Sequence, residues 1–158
     1  TLTGIDSTYD VYQLIISGVS GTSGSPTGYL RVVKDVAGTP TTQTTANYDI
    51  ATKGIRADTT FSNLAQTNQT FWQYIALWSA DIATSGNKPN ANIYLFNFNN
   101  ASEYSFMTVE STGKWASGAL GSQGGGVYTV AEEHIGVNYS LSAGNIDEGT
   151  FTLYGLKK

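Results

Sequence analysis

The chain has no cysteine, which removes disulfides, thiol catalysis, iron–sulfur clusters and zinc-ribbon sites from consideration. Basic residues are scarce too: eight Lys and Arg stand against twelve Asp and Glu, a net charge of −4, and no stretch clusters the cations. Nucleic-acid binding needs a basic face to neutralise phosphates, and docking on an anionic membrane needs the same, so the charge disfavours both and neither partner is expected. No apolar run approaches the ~20 residues of a membrane helix. No signal-peptide pattern is visible, and the first residue, Thr1, leaves room for a processed leader. Charged residues make up only 13% of the chain, against about 25% in an ordinary soluble domain.

Ser, Thr, Asn, Gln and Gly must cover the surface instead, a composition common in extracellular and virion proteins. At 158 residues the chain suits one domain, residues 1–158, large enough for a full core.

A period of two dominates. Residues 9–19 and 29–36 are rich in β-branched and aromatic side chains, and with the Gly/Ser-rich stretch between them they are expected to form a hairpin with a long connection. Residues 37–46, Thr-rich with Pro40, read as a surface loop, residues 47–50 as a short strand, and residues 61–66 as a short helical turn. Residues 70–80 read as a two-sided strand, with Phe71, Gln73, Ile75 and Leu77 on one face and Trp72, Tyr74, Ala76 and Trp78 on the other. Strands follow at 92–98, 104–110, 114–120 and 127–130, with residues 121–126 as a flexible glycine loop. The closing block reads as a hairpin: Val137, Tyr139 and Leu141 alternate before a polar turn, and Phe151 and Leu153 after it. The expectation is an all-β fold, an antiparallel β-sandwich of jelly-roll type with eight to ten strands.

Little in this pattern points to catalysis. A Ser–His–Asp triad would have to use His134, the only histidine, and no Gly-x-Ser-x-Gly elbow accompanies it. The plainer reading is a histidine at the start of a strand with Glu132 and Glu133 solvated beside it. Asp6/Asp10, Glu132/Glu133 and Asp147/Glu148 are the close acidic pairs; calcium is the one ion they suit, and ordinary turn acids are the favoured reading. Asp81 and Glu110 are carboxylates of the kind a glycosidase needs, with nothing to fix their separation. The glycines at 121–126 lack the Lys-Ser/Thr of a phosphate loop. Neither a cofactor nor a metal is expected, and the chain reads as a non-enzyme. Aromatics are 12% of the residues, and Trp72, Tyr74, Trp78 and Trp115 are candidates for a subunit interface or a sugar-stacking platform, core plus interface being the preferred reading.

Three segments resemble a known family. The run Gly4-Ile5-Asp6-Ser7-Thr8-Tyr9-Asp10, leading into Tyr12, Leu14 and Ile16-Ser17, resembles the opening of a β-rich domain of tailed-bacteriophage structural proteins. Ile93-Tyr94-Leu95-Phe96-Asn97 is similar to its Ile-x-Leu-Phe-Asn strand. Ser142-Ala143-Gly144-Asn145-Ile146, then Gly149-Thr150-Phe151-Thr152-Leu153-Tyr154-Gly155, resembles its close. The likeness spans nearly the whole chain and is weakest over residues 37–90. It implies a virion protein, most readily a capsid decoration (cement) protein, working at the particle surface as a homotrimer against itself and the major capsid protein. The other implied role is a tail-fibre or tail-tip domain that binds host surface carbohydrate. No catalytic residue comes with the resemblance.

Overall fold

The computed structural model describes residues 1–58, 60–76, 82–83, 86–115 and 118–157. Among them there is no helix. The strands are β1 (Leu2–Thr3), β2 (Val11–Gly21), β3 (Gly28–Val36), β4 (Thr39–Thr42), β5 (Tyr48–Arg56), β6 (Ser62–Gln69), β7 (Trp72–Gln73), β8 (Asn90–Phe96), β9 (Ser105–Trp115), β10 (Gly118–Tyr128), β11 (Gly136–Leu141) and β12 (Ile146–Leu156). One sheet has the order β1-β11-β3-β4, with β7 beside β3; the other has seven strands in the order β12-β2-β8-β9-β10-β5-β6. All pairings are antiparallel.

The two sheets face each other as a sandwich. Alternation decides which residues enter the core: Tyr12, Leu14 and Ile16 of β2, Ile93 and Leu95 of β8, and Met107 and Val109 of β9 meet Leu30 and Val32 of β3 and Val137 and Tyr139 of β11. The chain crosses between sheets at β1/β2, β2/β3, β4/β5, β6/β7, β7/β8, β10/β11 and β11/β12, and stays within one sheet through β3/β4, β5/β6 and β8/β9/β10. Twelve strands replace the eight to ten expected, partly because β1 and β7 are only two residues long.

Several local expectations are overturned. Residues 9–19 and 29–36 are not a hairpin: β2 and β3 lie in opposite sheets, and so do β11 and β12 at the close. Each of these strands buries one apolar face, and that demand is met across the core as well as beside a neighbour. The Thr-rich loop contains β4, an edge strand in which Pro40 needs no ladder N–H. The helical turn is β6, paired to β5 from Gly54–Ser62 to Tyr48–Gln69. The glycine loop at 121–126 is the interior of β10, held between β9 and β5.

The strand expected at 70–80 survives only as β7, because Tyr74 (φ 64°) and Ala76 (φ 60°) adopt left-handed backbone and end the extended run. Residues 77–80 of that expectation lie outside the described residues, as do 116–117 of the expected strand at 114–120. The rest of that segment forms the end of β9 and the start of β10, with Trp115 paired to Gly118.

Two struts join the sheets. Trp72 reaches from β7 so that its Nε1 donates to the carbonyls of Asp49 (3.1 Å) and Val127 (3.2 Å) in the opposite sheet. Tyr48 of β5 donates its hydroxyl to the Gln43 carbonyl (2.8 Å) and accepts the Val32 amide (3.2 Å). Burial pushes the Tyr48 phenol well above its usual range, so it keeps the proton it donates.

Candidate functional site

The aromatic candidates do not form one platform. Trp72 is fully buried, packed edge-on to Tyr48 (5.2 Å between ring centroids), so it offers no face to a ligand or a neighbouring subunit. That corrects its assignment to an interface or glycan-stacking stripe. Tyr74 is half-buried on the bend after β7. Trp78 lies outside the described residues. Trp115, half-buried at the far end of β9, has the Arg56 guanidinium 4.6 Å from its ring centroid.

His134 is the second place the sequence marks, and its surroundings have the composition of a triad. Ser105 Oγ lies 2.9 Å from His134 Nδ1, and Glu132 Oε1 lies 3.6 Å from Nε2. Lys34 closes the set at 2.9 Å from the other Glu132 oxygen. The carboxylate favours a hydrogen on Nε2, which leaves Nδ1 to accept from the Ser105 hydroxyl. Yet Ser105 and His134 have no exposed surface, and the imidazole is walled by the rings of Tyr128 (5.0 Å) and Phe98 (5.6 Å). A nucleophile without access to substrate does no acyl transfer, so the group is a structural polar cluster closing one end of the core. The glutamates are correspondingly not both solvated: Glu132 is partly buried. Burial is the largest influence and raises its carboxyl, but the bond and charge of Lys34, with Tyr128 and His134, together outweigh it and hold the carboxyl below the usual range.

Burial pushes the His134 imidazole down to about 4, against the pull of Glu132. The unfolded chain protonates this side chain near its ordinary value of 6.5. Stability is therefore fully present above about pH 6.5 and is lost as the pH falls toward 4, by about 3 kcal/mol at most. Urea midpoints at pH 7 and pH 5 test this: the wild type should drop, and His134→Gln should lose most of that drop. Equal pH dependence in the two proteins would refute the assignment.

The remaining acids behave as turn or surface groups. The Asp6 carboxylate accepts the Thr8 amide (2.8 Å) and the Tyr12 hydroxyl (3.0 Å), and these bonds lower its pKa, the Thr8 amide most. Glu110 points outward from β9 and accepts from Gln123 Nε2 (2.8 Å); Asp81 lies outside the described residues. Among the described residues no group of three or more His, Cys, Asp or Glu could hold a metal ion.

What the sequence did not single out is the outer face of the seven-stranded sheet. Register carries one row of side chains straight across five strands: Leu156, Val11, Phe96, Phe106, Val127. All are apolar and all are at least partly exposed, Phe106 at 45%. The next row runs Tyr154, Gln13, Tyr94, Thr108, Gly125, Ala51, Ala65, with Tyr154 at 51% exposure. Its small residues form the floor of a trough walled by Phe106 and Val127, with Asp49 at one end. The third row is polar except at Ile15: Thr152, Ile15, Asn92, Glu110, Gln123, Lys53, Asn63. Gln13 Nε2 donates to Asn92 Oδ1 (2.8 Å), linking the second row to the third. One face thus grades from aromatic to polar. A contiguous apolar band of this kind on a sandwich marks a surface made to be covered. Each strand contributes only one or two of its members, so no stretch of sequence displays it.

Searches against protein-family models, curated proteins and solved structures found no match for the chain.

Proposed function

We propose that this chain is a structural protein of a bacteriophage particle, a capsid decoration protein that binds the assembled shell through the outer face of its seven-stranded sheet. The observation that carries the reading is the contiguous exposed row Leu156–Val11–Phe96–Phe106–Val127 on the surface of a weakly charged chain. The resemblance of the opening and closing segments to phage structural proteins supplies the particle. The mechanism is passive. A protein that binds assembled shell and not free subunits stabilises the shell by mass action, by an amount that grows with the logarithm of its free concentration over its dissociation constant. Burying the aromatic row supplies affinity, and the polar rows at its margin supply fit.

The test is occupancy on purified heads. The wild type should co-purify with full heads in many copies. Phe106→Asp, an exposed change that leaves the core intact, should weaken binding about tenfold or more, since a buried Phe side chain is worth roughly 1.5–3 kcal/mol. Absence from purified heads, or unchanged binding by Phe106→Asp, overturns the reading.

A second reading rests on the second and third rows of the same face. Tyr94 and Tyr154 lie beside Gln13, Asn92, Glu110 and Gln123, rings for the apolar face of a sugar next to amides and a carboxylate for its hydroxyls. That chemistry suits a tail-fibre or tail-tip adhesion domain. Glycan-induced shifts in the NMR signals of Tyr94 and Tyr154, with no affinity for heads, would select it.

A further inference from the structure

The edges of the two sheets differ in how they are guarded. β1 and β7 are two residues long, and β4 has four residues including Pro40. β6 is broken by a register shift and by Asn68, whose φ of 55° turns the chain out of the extended region. β12 has eleven residues and no proline, and its ladder to β2 is regular from Thr150 to Leu156. Its far side is open, leaving a line of backbone N–H and C=O groups without a strand partner.

The charges at its two ends are opposite. Asp147 lies at the start and Lys157 one residue past the end, and among the described residues neither forms an ion pair. The register shifts of β12 fall between Ile146 and Thr150, so strict alternation does not reach Asp147, but the two charges stand equally far, five residues, on either side of Thr152. Turning β12 about a two-fold axis through Thr152 therefore brings the Asp147 end of one copy beside the Lys157 end of the other, twice. The nearby Glu148 is already paired to Lys88 within its own chain and stays out of this exchange.

We infer that the chain pairs with a second copy of itself through β12, antiparallel about Thr152, joining two seven-stranded sheets into one. Charge complementarity at both ends sets the register, and backbone hydrogen bonds along 150–154, the regular stretch centred on Thr152, supply the ladder. The axis stands perpendicular to the sheet, so the two apolar rows end on one continuous face. The contact is isologous and closes as a dimer. A trimer, which the phage resemblance implies, requires two different surfaces on each copy. This inference concerns the free protein and stands apart from head binding.

The absence of cysteine makes the test clean. Thr152→Cys places one thiol opposite its own copy, within disulfide reach across an antiparallel pair, and mild oxidation should give a covalent dimer. Asn63→Cys, on the opposite edge strand, should stay monomeric under the same treatment. In sedimentation equilibrium the wild type should dimerise, Asp147→Lys or Lys157→Glu alone should weaken the dimer about tenfold, and the double swap should recover it. A wild type that is monomeric or trimeric throughout, equal cross-linking of the two cysteine variants, or a double swap no better than the singles would overturn the proposal. All of these measurements use purified protein without particles, so their failure is distinguishable from a failure to bind heads.

Discussion

Trp72→Ala should cost on the order of 3–5 kcal/mol of folding stability, a large share of the roughly 5–15 kcal/mol that a domain of this size has. Three losses combine. The largest fully buried side chain disappears, and the surrounding strands cannot close the space. Its edge-on contact with Tyr48 and its tilted contact with Phe98 (6.4 Å) go with it. The carbonyls of Asp49 and Val127 lose a donor that came from the opposite sheet. Trp115→Ala is the control: that ring is half-buried and its main partner is Arg56, so the expected cost is about 1 kcal/mol. Urea denaturation of both variants decides the matter. A Trp72→Ala protein about as stable as Trp115→Ala would mean that the strut holds nothing.

Gly126→Val should be nearly as damaging, at about 3 kcal/mol or more, for the converse reason. A Cβ at position 126 would lie 2.7 Å from Trp72 Nε1 and 2.9 Å from the Asp49 carbonyl oxygen, inside contact distance of both. The ring cannot retreat without giving up its two carbonyls, and the oxygen belongs to the neighbouring strand. The two sites are therefore coupled. In a Trp72→Ala background the indole is gone and the valine enters the space it leaves, so the double variant should be more stable than the sum of the single losses predicts. Strict additivity in the cycle would show that the clash lies elsewhere.

Much of the fold is legible in the sequence because a strand with one buried face must alternate. Tyr12, Leu14 and Ile16, or Ile93 and Leu95, announce both the strand and the side that turns inward. What alternation does not encode is where the complementary surface lies. Leu30 and Val32 satisfy Leu14 and Ile16 equally well from the adjacent strand or from across the core, and the structure takes the second course. Glycine misleads for a related reason. In β10 the glycines at 124–126 read as slack, whereas Gly126 admits an indole arriving from another sheet, a partner distant in sequence. The candidate face was illegible because Leu156, Val11, Phe96, Phe106 and Val127 are brought together only by register. Trp72 drew attention because large aromatics do, and burial gave it a structural part instead.

The pairing of β12 with β2, and of β11 with β1, has a consequence for biosynthesis. Strand β2 emerges from the ribosome early, and the neighbour on its outer side is made more than a hundred residues later. Until residues 146–156 are free, Leu14 and Ile16 can be enclosed only in part, and the outer side of β2 is open to other nascent chains. Completion must follow translation of nearly all of the described chain, and rare codons or low temperature should change the soluble yield more than they would for a protein built of neighbouring hairpins.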